Sequence, residues 1–184
     1  RLANNDTISG MRFDASNAAG TIFGNGVSNP LPITNVNLTG NTFSNYVVGA
    51  DLKDVSGRVI VDGNTFTGRP VLSAIRSTHG LRMTTAGGST TDLLLTNNSA
   101  TTNQIAGLSV TAQAGSTLNA HDLGGHTAIV PPATGKYHFD SRTAGITKNV
   151  LTGNGNGIEI LGKAGSTINA GIEDNTMTGN TTNG

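Results

Sequence analysis

Residues 151–179 read LTGNGNGIEILGKAGSTINAGIEDNTMTG and contain one complete unit of a repeat that recurs along the chain. Two signatures mark this unit. The first is a glycine followed by alternating apolar residues, as in GIEI at residues 157–160. The second is an apolar residue, an Asn three positions later, a second apolar residue two positions further on, and then a glycine, as in residues 172–179. A repeat with a period of roughly 20–50 residues indicates a solenoid or an array.

Degraded copies of both signatures run through the chain. The polar position of the second signature is occupied by Asp6, Asn41, Asn64, Asn98, Asn149 and Asn175. The glycine of the first signature is Gly10, Gly49, Gly80, Gly107 and Gly157. Short runs of alternating apolar residues between Gly, Asn, Ser and Thr are typical of short strands with one buried face. The spacing of 23 residues from Asn41 to Asn64 is too short for a crossover through a helix and suits one coil of short strands.

The recurring Asn predicts a ladder inside the stacked coils. Asn tolerates the left-handed backbone of a tight corner, and its amide both donates and accepts, so stacked Asn side chains can satisfy one another. We expect the ladder to contain Asn41, Asn64, Asn98, Asn149 and Asn175. Because Asn103 is not assigned to the ladder, Asn64→Leu is expected to destabilise the protein far more than Asn103→Leu.

These signatures resemble those of the right-handed parallel β-helix superfamily, which includes pectate lyases, polygalacturonases and phage tailspikes. The resemblance covers nearly the whole chain and implies an all-β, right-handed, single-stranded parallel β-helix of about six coils over residues 1–184. It implies a fold and no particular activity. Since neither end carries an amphipathic helix that would cap a solenoid, we expect the single domain to be a piece of a longer chain.

The composition restricts the classes of function. The chain contains 21 Asn, 27 Thr and 26 Gly, but 5 Phe, 2 Tyr and no Trp, which suits polar corners around a narrow aliphatic core. Its formal net charge is zero, so no electrostatic attraction to nucleic acid is expected. No apolar run is long enough to span a membrane. The resemblance, rather than the composition, implies an extracellular or cell-surface location, in a bacterium, and a polysaccharide or another surface protein as partner.

Residues 121–142, HDLGGHTAIVPPATGKYHFDSR, interrupt the repeat and are predicted to be a loop insertion. Loops on a rigid scaffold often carry function. The candidate binding residues of this loop are His121, Asp122, His126, Tyr137, His138 and Asp140. Their spacing matches no zinc signature, so we predict no metal site there.

The candidate catalytic residues are Asp51, Asp62, His79 and Arg82. His79-Gly80 loosely resembles the Gly-His-Gly corner of polygalacturonases. Glycosidic cleavage also requires two carboxyl groups facing one bond, and the acidic residues of the preceding coil are scattered. A pectate lyase would require an Asp cluster for calcium and an Arg base, and no such cluster is evident. We therefore expect no cofactor, with calcium the only cation that the resemblance would suggest.

Two hypotheses follow. The favoured one is a non-catalytic extracellular module that acts as a rigid scaffold and binds carbohydrate or a protein partner. The alternative is a carbohydrate-active enzyme, either a polysaccharide lyase or a glycoside hydrolase. An ice-binding face would require regular rows of Thr-x-Thr, and Thr65/Thr67 and Thr176/Thr178 are interpreted from the sequence as out of register.

Overall fold

The computed structural model describes residues 1–15, 25–69, 78–121 and 145–182, which contain eighteen β-strands and no helix. The strands are β1 (Thr7–Ser9), β2 (Arg12–Asp14), β3 (Asn25–Ser28), β4 (Ile33–Thr39), β5 (Thr42–Ser44), β6 (Val48–Asp62), β7 (Thr65–Thr67), β8 (His79–Thr85), β9 (Thr90–Thr96), β10 (Ser99–Thr101), β11 (Ala106–Ala112), β12 (Thr117–Ala120), β13 (Ile146–Thr147), β14 (Val150–Thr152), β15 (Asn156–Gly162), β16 (Thr167–Ala170), β17 (Ile172–Glu173) and β18 (Thr176–Thr178). None of the described residues forms a helix long and apolar enough to cross a membrane.

The strands pair in parallel and fall into three rows. The first row is β3, the start of β6, β8, β11 and β15. The second row is β1, β4, the end of β6, β9, β12 with β13, and β16 with β17. The third row is the separate six-stranded sheet β2, β5, β7, β10, β14 and β18. The prediction of an all-β fold with parallel strands is confirmed, and the arrangement is compatible with a parallel β-helix.

The register stacks identical positions of the repeat into columns of apolar side chains. One column contains Ile8, Leu38, Val61, Leu95, Ile146 and Ile172. Another contains Phe13, Phe43, Phe66, Ala100, Leu151 and Met177. The three Phe rings lie parallel, with centroids 5.0 and 5.1 Å apart. The core is therefore built from stacked columns rather than from packed layers.

A column of glycines faces the Phe column at close range. It consists of Gly26, Gly49, Gly80, Gly107 and Gly157. A Cβ added at Gly80 would lie 2.6 Å from the carbonyl oxygen of Gly107 and 2.8 Å from Cβ of Phe66. The glycine of the first signature is thus required because the backbone passes against the core, and its first copy is Gly26 rather than Gly10.

The predicted Asn ladder residues stack in one column. In each step Oδ1 of one Asn accepts hydrogen bonds from the backbone N and from Nδ2 of the preceding Asn. The members of this first ladder are Asn41, Asn64, Asn98, Asn149 and Asn175. Below Asn41 the column continues with Met11, whose backbone N donates to Oδ1 of Asn41 at 3.0 Å. The assignment of Asp6 to this position was wrong, because the first copy of the signature lies five residues later than the spacing suggested.

The left-handed corner is made by the residue before each ladder position and not by the ladder Asn itself. These residues are Gly10, Gly40, Gly63, Asn97, Lys148 and Asp174, with φ between 52° and 64°. The expectation that the ladder Asn would adopt this conformation was therefore incorrect. The Asn side chain remains available for the axial hydrogen bonds because its neighbour makes the turn.

A second ladder lies at the other end of the third row. Oδ1 of Asn154 accepts from the backbone N and Nδ2 of Asn103, both at 3.0 Å. Oδ1 of Asn180 accepts from the same two groups of Asn154 at 3.0 and 3.3 Å. Asn103 is 2% exposed. The expectation that Asn103 lies outside any ladder was wrong, and the last three strands of the third row, β10, β14 and β18, are held between two ladders.

One strand position of the second row is interrupted by the long segment noted in the sequence. Ala120 pairs with Leu93 and Ile146 pairs with Leu95, so Ala120 and Ile146 are two positions apart in the row although they are 26 residues apart in the sequence. The backbone N of Gly145 donates to the carbonyl oxygen of Ala120 at 3.3 Å. A Cβ at Gly145 would collide with the backbone of Ala120 and His121, so the backbone of Gly145 packs directly against these two residues. The columns on both sides continue without a shift.

Candidate functional site

Two of the four candidate catalytic residues, Asp51 and Arg82, come together on the outer side of the first row, and a third, His79, lies buried at the start of the same strand as Arg82. Asp51 and Arg82 occupy one column because β6 and β8 pair at this position, and His79 lies three residues before Arg82. Arg82 donates from Nε to Oδ1 of Asp51 at 2.9 Å and from Nη2 to Oδ2 at 2.8 Å. The Asp51 side chain is 1% exposed and that of Arg82 is 39% exposed. The result is a bidentate ion pair with a buried carboxylate.

The surroundings of Asp51 hold it in the charged form. Burial pushes the pKa of its carboxyl upward, but the hydrogen bonds and charge of Arg82, with the charge of Lys53, leave that pKa below its ordinary value. Lys53 Nζ lies 3.5 Å from Oδ2, and Nδ2 of Asn25 donates to the same oxygen at 2.7 Å. The hydrogen bond to Asp51 raises the pKa of Arg82. Arg82 is consequently unsuited to act as a base.

His79 is the polar residue of this site whose bonding is incomplete. It is 8% exposed, and within the described part of the chain its Nδ1 has no hydrogen-bond partner. Burial lowers the pKa of His79, the positive charge of Arg82 lowers it further, and the charges of Glu159 and Asp51 oppose the shift. The imidazole is therefore neutral at pH 7 and has a free ring nitrogen.

The column of Asp51 and Arg82 continues through Ser109 to Glu159, which the sequence analysis did not single out. Ser109 Oγ donates to Oε2 of Glu159 at 2.8 Å, and Nδ2 of Asn156 donates to Oε1 at 3.1 Å. A usable signal existed in the sequence, because each of these four residues follows a signature glycine by two positions. Arg82 and Ser109 separate the two acids, so their Cα atoms are ~14 Å apart at the usual strand spacing.

Asp62 does not belong to this cluster. It lies in the second row, between Thr39 and Thr96, and its Oδ1 accepts a hydrogen bond from Nδ2 of Asn97 at 2.8 Å. The structure therefore separates Asp62 from Asp51, His79 and Arg82. Among the residues that the structure describes, no three His, Cys, Asp or Glu side chains are grouped so as to hold a metal ion.

Of the candidate binding residues in the loop, only His121 is described. Its Nε2 lies 3.7 Å from Oδ1 of Asp92, next to the end of β12 at Ala120. The other five lie outside the described residues: Asp122, His126, Tyr137, His138 and Asp140.

Comparison with known proteins found no family model, no curated protein and no solved structure that matches this chain. The geometry of the three rows is thus the basis for assigning a function.

Proposed function

We propose that this chain is a non-catalytic module of a larger secreted or cell-surface bacterial protein, and that it acts as a rigid scaffold. In this proposal it is a right-handed, single-stranded parallel β-helix of about six coils, similar to the pectate-lyase-like superfamily. The observation that carries the proposal is the first ladder, which joins successive coils from Asn41 to Asn175 through paired hydrogen bonds. A buried polar network that is fully satisfied gives rigidity and a unique register.

The axial connections are redundant, which suits a scaffold. The second ladder runs parallel to the first, and both flank strands whose central side chains are buried. The stacked rings of Phe13, Phe43 and Phe66 add a further axial connection, and the glycine column packs against Phe43 and Phe66. Bending the structure would have to break backbone pairing, amide ladders and apolar columns together. The proposed role is to hold other parts of the parent protein at a defined distance, or to present the loop at residues 121–142 to a polysaccharide or a surface protein.

The polar cluster of the first row fits this role better than catalysis. Hydrolysis of a glycosidic bond uses two carboxyl groups roughly 5–10 Å apart. Asp51 and Glu159 are separated by two intervening strands, and each is engaged by neighbours. Lyase chemistry would require a basic group, whereas Arg82 is held protonated by Asp51.

A carbohydrate-active enzyme, either a polysaccharide lyase or a glycoside hydrolase, is the second candidate. The observation that favours it is Nδ1 of buried His79, which makes no hydrogen bond to any residue that the structure describes. A neutral His with an unpaired ring nitrogen can accept a proton from a substrate hydroxyl or from water. Such a role would require substrate to reach a side chain that is 8% exposed.

The two candidates are separated by incubating the purified chain with plant, algal and bacterial polysaccharides, with and without calcium. Product release and retention on the polymer are both measured. We expect no product from any polymer. Where a polysaccharide is the partner, we expect the chain to be retained on that polymer. Product release that is lost in Asp51→Asn and His79→Gln, but kept in the matched variant Asp62→Asn, would overturn the proposal in favour of the enzyme.

A further inference from the structure

The outer side of the third row repeats one chemical pattern on five successive strands. The strands read TFS (42–44), TFT (65–67), SAT (99–101), VLT (150–152) and TMT (176–178), and their central residue points into the core. The register places the flanking residues in two columns. One column is Thr42, Thr65, Ser99, Val150 and Thr176, and the other is Ser44, Thr67, Thr101, Thr152 and Thr178. We call these ten residues the hydroxyl face.

The sequence interpretation that these threonines are out of register was wrong. Thr65 stacks in the same column as Thr176, and Thr67 in the same column as Thr178. Equivalent positions on neighbouring strands are separated by 23 to 51 residues in the sequence, and this variation hides the alignment in a linear reading. Counted from the ladder Asn, the two columns always fall at the first and third following residue.

The composition of the hydroxyl face differs from that of the other two rows. Of its ten positions, seven are Thr, two are Ser, and Val150 has the shape of Thr. Thr makes up 27 of 184 residues in the whole chain, so this content is not a simple result of abundance. The ten residues of the hydroxyl face are uncharged, although the two columns end in Arg12 and Asp14 on β2. The outer columns of the other rows include Asp51, Arg82, Asp62 and Glu173.

The hydroxyl face is also a fixed two-dimensional grid. The backbone positions that carry the hydroxyl groups repeat at ~4.8 Å from strand to strand and at ~7 Å from one column to the other. Within this grid the Oγ1 atoms of Thr152 and Thr178 lie 3.1 Å apart and share a hydrogen bond. The first ladder immediately precedes each strand, and the second ladder follows those of the last three, so the ends of these strands are held by buried amides. The stacked rings of Phe43 and Phe66 support it from beneath. Six of the ten residues are exposed: Thr65, Thr67, Val150, Thr152, Thr176 and Thr178.

We propose that the hydroxyl face binds the surface of ice. Its two repeats are close to oxygen spacings along two perpendicular directions of a prism face of hexagonal ice. Threonine offers a hydroxyl that can join the hydrogen-bonded lattice and a methyl group that orders the water beside it. A neutral face avoids the strongly hydrated charges that would hold water in an arrangement incompatible with ice. No outward aromatic ring is present among the ten residues to stack on a sugar, which disfavours a polysaccharide at this face.

This inference does not depend on the scaffold role, because the hydroxyl face uses neither the loop nor the polar cluster of the first row. Only the rigid coil-to-coil register is shared. A chain that binds no polysaccharide would leave the inference intact, and a chain that does not bind ice would leave the scaffold proposal intact.

The test uses the purified chain and ice itself. Thermal hysteresis, inhibition of ice recrystallisation and incorporation into a slowly growing ice front are measured. We expect activity in all three assays for the natural sequence and loss of most of it in Thr67→Lys, which places a long cation within the grid. The matched control is Thr90→Lys, an exposed Thr on β9 in the second row, which should retain full activity. Thermal unfolding of each variant shows that it is folded.

Three results would overturn the inference. The first is exclusion of the natural chain from the ice front with no hysteresis. The second is ice activity that Thr67→Lys and Thr90→Lys leave equally intact, since the active face would then lie elsewhere. The third is retention on crystalline cellulose or chitin that Thr67→Lys abolishes, in a chain that is inactive on ice, since the grid would then serve a polysaccharide.

Discussion

Oδ1 of Asn64 accepts two hydrogen bonds from Asn41, one from the backbone N and one from Nδ2, each 3.0 Å long. The two residues are 23 positions apart, so this pair of bonds is a tertiary connection and not a turn. Asn64 also donates from Nδ2 to the carbonyl oxygen of Leu38 at 2.8 Å. Each ladder Asn thus satisfies groups on the coil below as well as its own.

Replacing a central ladder residue should therefore leave several buried groups without partners. In Asn64→Leu these include N and Nδ2 of Asn41, and each unsatisfied group costs ~1–3 kcal/mol, so the free energy of unfolding should fall by at least ~3 kcal/mol. Asn154→Leu in the second ladder should have a similar effect. The control is Asn37→Leu, which removes one exposed hydrogen bond to Thr7. Denaturant titration measures all three, and equal midpoints would contradict the ladder assignment.

Removing the positive charge of Arg82 should lower the free energy of unfolding, because the buried carboxylate of Asp51 would lose its partner. Arg82→Gln leaves a carboxylate that is 1% exposed without its bidentate partner. We expect a loss of roughly 2–3 kcal/mol, less than for a fully buried pair because Arg82 is partly exposed to solvent. The double variant Asp51→Asn with Arg82→Gln should recover much of this loss. A double-mutant cycle with no coupling between the two positions would refute this account.

His79 should make stability depend on pH. Its pKa in the folded protein is lowered by burial and by Arg82, so below the ordinary value of about 6.5 the unfolded chain takes up a proton before the folded one does. The free energy of unfolding should therefore fall as the pH falls from 7 to 5. His79→Gln should show a shallower decline over this interval. Urea titrations at several pH values measure the slopes, and parallel slopes would show that His79 is not the residue responsible.

The glycine column should tolerate no side chain. In Gly80→Ala the new Cβ would lie 2.6 Å from a backbone oxygen, and we expect destabilisation of ~3 kcal/mol or more. Gly87→Ala is the matched control, because the nearest atom, the carbonyl oxygen of Ala114, lies 3.5 Å from the added Cβ. That variant should be neutral or slightly more stable. Thermal unfolding of both variants checks the expectation, and comparable melting temperatures would argue against the close approach.

The repeat predicted most columns of the core because its spacing is constant around each ladder Asn. It failed in the first copy, where Ala3, Asp6 and Ile8 imitate the signature five residues before Met11 and Phe13. The second ladder was missed although a signal was present. Asn103, Asn154 and Asn180 each follow a first-ladder Asn by five residues.

The candidate site was predicted in part for a related reason. The signature glycines align Asp51 with Arg82, and the same alignment extends to Glu159. Asp62 was grouped with them because it is near in sequence, but β6 passes from the first row into the second between Asp51 and Asp62. Which row a residue occupies depends on where the chain turns, and within β6 that turn is made at Asp54 and Gly57, whose φ angles are 51° and 68°.

Because Ala120 and Ile146 pair with Leu93 and Leu95, the length of the chain between them is not fixed by the pairing of the strands. When the two ends of a loop are fixed in place, each doubling of the loop length adds only ~0.6 kcal/mol to the entropic cost of closing it. Here the two ends are fixed by the hydrogen bond from the backbone N of Gly145 to the carbonyl oxygen of Ala120, and the columns on either side stay in register. A segment of quite different length or chemistry could therefore replace the natural one at this position. The free energy of unfolding of the paired strands should change little.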